Sequence, residues 1–366
     1  MSNRSILILR EKKITFNGDS FVYPLFTNRK LLQEYGINVS FVKNLNDNLS
    51  DCDVLIISSN VASENGWWVE NKKDEMFSFL DRMEKGVDNV IWADLRDGTG
   101  TTFFEILPHV DRYFKGFLLK DRLLYRRKFY GSRYFTDYYH KHFQVSDDNP
   151  GEPHLNHIPE ESELRKVVLS WNNSFNNFSY IGNIIRKVNK HINIFPHQIF
   201  NSMKDPQKGR SVFYNCRIGT NYRRNTISFP RKKIAELLRD KVSTNRVNKY
   251  KYYRELNNSR VVISPFGWGE ACYRDYEAFN AGATLIKPNC SHMETWPDYY
   301  VNNQTYLPFK WDFSDFKSLI DSLPDKYSDL ISIAVSAQKR YKYFLFSDSG
   351  KAEFCERFNM LTSFTE

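Results

Sequence analysis

No apolar run in this sequence reaches the roughly 18–20 residues needed to cross a bilayer, so a helical membrane protein is not expected. The opening run Ile6–Leu9 meets Arg10, Glu11, Lys12 and Lys13 at once. That is too short for the core of a secretory signal peptide. The expectation is a cytosolic protein, or one resting on the inner face of the membrane. Cysteine is scarce: Cys52, Cys216, Cys272, Cys290 and Cys355, an odd number with no C-x-x-C pair. Neither a disulfide framework nor a zinc site fits that pattern, and buried free thiols do. The sequence also lacks an internal repeat of fixed period. No Asp-x-Asp follows a strand, because Asp51 and Asp53 come just before one, so no metal site and no cofactor are expected.

Aromatic residues, by contrast, are plentiful at 16%. Apolar residues at 41% and charged residues at 26% are ordinary for a globular protein and exclude wholesale disorder. Lys and Arg number 52 against 43 Asp and Glu, a net charge of +9. A basic balance favours anionic partners: sugar nucleotides, nucleic acid or an acidic membrane surface.

The 366 residues suit about two domains. Ile6–Leu9, Asn38–Val42, Asp53–Ser58 and Asn89–Asp94 read as short apolar strands separated by helix-length segments, the pattern of parallel βαβ units. Phe16–Ser20 reads as a loop, and Leu31 to Gly36 as the end of a helix. Pro150, Gly151, Pro153 and Pro159 mark a loop over 146–160, and 180–188 reads as helical. A second α/β run follows: strands at Ser211–Asn215, Arg260–Ser264 and Ala283–Lys287, a helix after Pro230, and helices from Leu330 on. The expected domains are 1–165, a linker region 166–205, 206–340 and a C-terminal helix 341–366.

The stretch from Ser264 to Pro288 carries the most chemistry. It reads strand, Gly-rich loop, helix, a stop at Gly282, strand. Loops at the C-terminal ends of parallel strands are where α/β folds bind ligands. Gly267 and Gly269 allow close backbone approach, and the helix start offers free N–H groups to a phosphate. Glu270, Arg274 and Glu277 stand at i, i+4 and i+7, which places them on one helix face. A sugar nucleotide fits such a face: Arg274 on the diphosphate, Glu277 on the ribose hydroxyls, Glu270 toward the sugar. A solvated helix face with two salt bridges is the plainer alternative.

The segment resembles the donor-binding motif of GT-B glycosyltransferases, especially the exostosin-like and bacterial polysaccharide "group 1" kinds. The matching positions are Ser264, Pro265, Gly267, Arg274, Glu277, Ala278 and Gly282. The resemblance implies two facing Rossmann-like domains. The N-terminal one would bind the acceptor and the C-terminal one the nucleotide sugar, with C-terminal helices crossing back to the first. It departs from the large retaining family, which has two Glu with seven residues between them. Counting back from Glu277, that place holds Gly269, and Glu270 is one position late.

The remaining candidates follow from that layout. His292 would reach a phosphate or the sugar. Arg217 and Arg223, with Arg224, stand in a basic run near the diphosphate. An acceptor hydroxyl needs a base, and Asp94 and Asp97 leave a strand into a Gly-containing turn. Asp19 follows the first strand and should face the cleft. Residues 121–143 hold six Lys or Arg, two Asp and eight aromatics in 23 positions, with Arg126 and Arg127 among them. Such a mixture suits a lipid-linked acceptor at a membrane surface, or a helix packing its aromatics inward.

The leading expectation is therefore transfer of a sugar from a UDP, GDP or CMP donor to a surface polysaccharide such as O-antigen, capsule or lipopolysaccharide. A phage-type DNA-modifying glycosyltransferase and a non-catalytic glycan- or partner-binding module are the alternatives.

Overall fold

The computed structural model describes residues 3–13, 15–149, 157–182, 184 and 203–364. The first half folds into a six-stranded parallel sheet in the order β2-β1-β3-β4-β5-β7, with β1 Arg4–Leu9, β2 Ile37–Val42, β3 Val54–Ser58, β4 Asn89–Asp94, β5 Arg112–Lys115 and β7 Val167–Leu169. Its strands alternate apolar residues to two covered faces. Ile6 and Ile8 enter one core, while Leu7 and Leu9 enter another beneath the helix Lys73–Gly86. Burial on both faces is why these strands read as continuous apolar runs.

The second half holds four parallel strands in the order β12-β10-β9-β8: β8 Val212–Asn215, β9 Ser259–Ile263, β10 Thr284–Pro288 and β12 Leu307–Phe309. A short antiparallel ribbon ties the halves together, β6 Phe117–Leu119 against β11 Met293–Thr295. Near it, Asn172 Nδ2 donates to Thr295 Oγ1 at 3.0 Å and to the Pro297 carbonyl at 2.8 Å. These are two facing Rossmann-like domains joined by one contiguous apolar core. The last helix, Asp348–Thr362, crosses back to the first domain as expected. Phe354 and Phe358 pack on Trp171 at 5.3 and 5.7 Å, and Arg357 donates to the Leu169 carbonyl at 2.6 Å. No described helix is long and apolar enough to cross a membrane.

Several elements differ from the sequence reading. The loop expected at Phe16–Ser20 is the start of a helix, Phe16–Thr27, because Thr15 caps it by accepting from the Gly18 N–H at 3.0 Å. The helix near Pro230 begins at Asn225, where Asp147 accepts from Thr226 N and Oγ1, both at 2.7 Å. The expected linker 166–205 begins with β7, which pairs with β5 and so belongs to the first sheet. Most of the helix expected over 180–188, and part of the loop over 146–160, lie outside the described residues. In 121–143 the aromatics turn inward: Tyr139 and Phe143 pack on Phe229 and Phe313, and Phe135 on Phe266.

Phe354 is fully enclosed between Trp171, Phe175 and Trp296. Phe354→Ala should cost about 3–5 kcal/mol of stability, read as a lowered urea midpoint. A midpoint equal to that of the wild type would show that the last helix is not anchored through this ring.

Candidate active site

The C-terminal strand ends of the two sheets face each other, and two loops meet there. The loop 95–100 leaves β4, and the loop 264–272 leaves β9. Gly98 adopts φ +87°, the left-handed region. Opposite it, a Cβ on Gly269 would stand 2.6 Å from the Gly98 nitrogen and 3.1 Å from Asp97 Cβ, so only glycine fits. Gly267 has no such constraint, since its nearest neighbour would be Cys272 Sγ at 3.5 Å. Glu270 crosses this junction. It is 1% exposed and accepts from Thr99 N at 3.0 Å and Thr99 Oγ1 at 2.6 Å, with His292 Nε2 at 3.3 Å. Burial opposes its charge, but His292 and the Thr99 donors outweigh it and hold the carboxyl at about 2. His292 therefore touches Glu270, and its ring lies against Tyr134 and Trp311.

The helix Tyr273–Ala281 starts three residues after Glu270. Its cap is Cys272, and Asp275 reaches back to the Cys272 N–H at 3.0 Å. The expected three-residue face is thus corrected to two, Arg274 and Glu277, because this capping box delays the helix start. Ser264 is buried and donates to Asp275 Oδ1 at 2.5 Å, so it braces the helix from inside. Lys287 completes that brace with Asp275 at 3.3 Å and the Glu270 carbonyl at 2.6 Å. Glu277 accepts from Tyr252 and Tyr253 hydroxyls at 2.5 and 2.9 Å, and burial raises its pKa. Both phenols come from the helix Lys249–Leu256.

Arg274 donates through Nη2 to the Arg217 carbonyl at 2.5 Å, while its Nε is buried with no partner. The Arg217 side chain points elsewhere, to Glu255 at 2.7 Å and Ser243 Oγ at 2.9 Å. Arg223 is exposed on the same loop. The structure adds Arg231, which sequence reasoning passed over within its basic run. Arg231 is 4% exposed, donates to the Gly219 carbonyl at 2.6 Å and the Phe266 carbonyl at 2.7 Å, and lies 5.0 Å from the Tyr222 ring. Burial and the neighbouring charge of Arg274 both lower its pKa. Neither Arg231 nor Arg274 forms an ion pair with a carboxylate among the described residues. A signal existed: Arg231 stands four residues after Ile227 and three before Ile234, on the apolar face of the helix Asn225–Leu237.

On the first domain, Asp94 is 2% exposed and held by Arg96 at 2.8 Å, Lys115 at 3.3 Å and the Tyr113 hydroxyl. Burial opposes its ionisation, but Arg96 and Lys115 prevail and its pKa is lowered. It is a structural anchor for the end of β4. Asp97 accepts from Asn17 Nδ2 at 3.1 Å, and Asn17 in turn accepts from the Tyr273 hydroxyl at 2.6 Å. Asp97, Asn17, Asn172 and Asn173 border a cavity of about 30 Å³, room for a water or two. Burial raises the Asp97 pKa above its ordinary value. Asp19 lies in the first turn of the helix Phe16–Thr27. Arg126 and Arg127 are exposed: Arg126 pairs with Glu161 at 3.3 Å, and Arg127 lies over Phe129 and Tyr134.

No family model matches this chain, and no curated protein does. Solved structures do. Anabaena Alr3699/HepE in complex with UDP-glucose shares 8% identity over 98% of this chain and 100% of that one, with a TM-score of 0.43. A glycosyltransferase from Rickettsia africae shares 9% over 100% of both chains, TM-score 0.44. The pneumococcal O-GlcNAc transferase GtfA, in complex with UDP and GlcNAc, shares 12% over 91% of this chain and 58% of that one, TM-score 0.39. Likenesses of this size carry no inference about what the chain does.

Two outcomes follow from the junction. Gly269→Ala should lower the urea midpoint clearly, while Gly267→Ala should fall within about 0.5 kcal/mol of wild type. Equal effects would contradict the close approach of the loops. Glu270 ionises below its ordinary 4.5, so its stabilisation is full above about pH 4.5 and is lost as pH falls toward about 2. Glu270→Gln should be less stable than wild type at pH 7, and that gap should narrow at pH 3 in urea titrations. A gap independent of pH would contradict the assignment.

Proposed function

We propose that this chain is a glycosyltransferase that moves a sugar from a nucleotide-sugar donor to an acceptor hydroxyl. The observation that carries the reading is the pair of guanidiniums, Arg231 buried and Arg274 half-buried, neither in an ion pair with a carboxylate among the described residues, with the charge of Glu277 nearby supporting Arg274. Two like charges held together away from water cost free energy unless an anion joins them. A diphosphate matches them in charge and can accept two parallel hydrogen bonds from a guanidinium.

Asp97 lies on the first-domain side of the junction, beside Gly269. A carboxyl group with a raised pKa at a polar cavity is suited to proton transfer. In the reaction proposed here, Asp97 takes the proton of the acceptor hydroxyl as that oxygen bonds to the anomeric carbon. The bond from that carbon to the diphosphate oxygen breaks, the anomeric centre inverts, and the diphosphate departs held by Arg231 and Arg274. Arg217 and Arg223 serve the site through their loop, whose main-chain carbonyl at Arg217 positions Arg274. The nucleotide sugar is a substrate, and no cofactor is assigned.

The acceptor proposed is a growing surface polysaccharide on a lipid carrier at the inner face of the membrane. Exposed Arg126, Arg127 and Lys128 beside Leu123, which is 64% exposed, support a surface that meets anionic headgroups.

Transfer assays with UDP-, GDP- and CMP-sugars and glycan acceptors test the reading. Asp97→Asn should lower kcat by about 10²–10⁴-fold and leave the donor Kd unchanged. An unchanged kcat would remove Asp97 as the base. A wild-type protein that neither binds nor turns over any of these donors would contradict the proposal as a whole.

A further inference from the structure

Trp268 stands between Gly267 and Gly269, in a loop otherwise enclosed. Of the seven tryptophans, all within the described residues, it alone is exposed, at 40%. Its neighbours Phe266, Gly267, Gly269 and Glu270 are all buried. The main chain beneath it is held in place: Gly267 N–H donates to the Gly269 carbonyl at 3.0 Å, and Arg133 Nε donates to the Trp268 carbonyl at 2.6 Å. The Arg133 guanidinium also lies 5.2 Å from the Trp268 ring centre, and Tyr222 meets the ring edge-on at 5.9 Å. Tyr222 in turn covers Arg231. A large flat ring is thus fixed at the rim of the arginine site, with much of its surface left in water.

A single exposed apolar residue needs no explanation. This one is different on two counts. Its backbone is immobilised from both domains, so the ring does not owe its exposure to a loose loop. It is also joined through Tyr222 to buried Arg231, beside half-buried Arg274, whose Nε is enclosed with no hydrogen-bond partner among the described residues. An anion bound by that pair would carry whatever is attached to it past the indole.

We infer that Trp268, with Tyr222 at its edge, is the stacking surface for the planar base of the nucleotide whose diphosphate binds Arg231 and Arg274. The inference rests on the reading of that pair as a diphosphate site. Stacking of a base on an aromatic side chain is sequence-tolerant, so the platform adds affinity for a nucleotide without choosing its base. Base selection then falls to polar groups around the ring rather than to the ring itself.

The test uses the full chain and two probes, inorganic pyrophosphate and a set of nucleoside diphosphates (ADP, GDP, UDP and CDP). The exposed indole gives a direct readout, because a stacked base should quench its fluorescence. Wild type should bind at least one nucleoside diphosphate more tightly than pyrophosphate, with quenching. Trp268→Ala should weaken that nucleotide about tenfold or more, leave pyrophosphate unchanged and abolish the quenching. Trp268→Phe should recover most of the affinity, which a merely structural loss would not allow. Unchanged nucleotide affinity in Trp268→Ala, with pyrophosphate still bound, overturns the platform and leaves the anion site standing. Equal loss for both probes assigns Trp268 to loop structure and also overturns it. Failure of wild type to bind pyrophosphate or any nucleotide removes the anion site, and the platform with it.

Discussion

Glu270 reaching across to Thr99 is the contact on which the geometry of this molecule depends. It comes from the loop after β9 in the second domain and takes both the N–H and the hydroxyl of a residue on the loop after β4 in the first. Once these bonds are made, the loops must lie backbone to backbone, and glycine is required at Gly269. The carboxylate is kept charged out of water by those donors and by His292. Losing a partner to such a buried group costs about 1–3 kcal/mol or more. Tyr125 extends the connection, donating to the Thr99 carbonyl while accepting from the Leu119 N–H in β6. The junction loop, the interdomain ribbon and the helix brace of Asp275 and Lys287 form one connected polar framework.

That framework holds a second feature under tension. Arg231 and Arg274 are satisfied in part by main-chain carbonyls of the loops after β8 and β9. Carbonyl dipoles offset some of the desolvation cost but carry no net charge. The remaining cost is carried by the packing of the second domain, where Cys216, Ile218 and Phe266 are fully enclosed. Burial and the neighbouring charge weigh against Arg231, whereas Arg274 is supported by groups around it that include Glu277. On the opposite side of the junction the sign reverses: Asp97 is a carboxyl pushed toward its neutral form by burial.

Much of the architecture was legible in the sequence. Strands β1, β3 and β4 carry near-continuous apolar runs because both faces of their sheet are covered. Strands β5 and β7 were not legible. They have four and three residues, and β5 ends in Lys115, whose charge is buried against Asp94. The spacing of Glu270, Arg274 and Glu277 reads as one helix face, but the helix begins at Tyr273 and holds only the last two. The cap formed by Cys272 and Asp275 is a tertiary matter, fixed by Ser264, Tyr300 and Lys287 around Asp275. Asp94 and Asp97 looked equivalent in sequence, and only the neighbours supplied by β5 separate an ion-paired anchor from a carboxyl bordering a cavity. The aromatic stretch 121–143 was ambiguous until its partners Phe229, Phe266 and Phe313, far along the chain, were in place.

The central claim is that Arg231 and Arg274 form an anion site built for a diphosphate. The most direct measurement is calorimetric titration of pyrophosphate into the wild type and Arg274→Ala, with folding of both checked by thermal melts. The account predicts binding to the wild type and a loss of about tenfold or more in Arg274→Ala, because hydrogen bonds to a charged group are worth about 1.5–3 kcal/mol. Equal affinity in two folded proteins would contradict it.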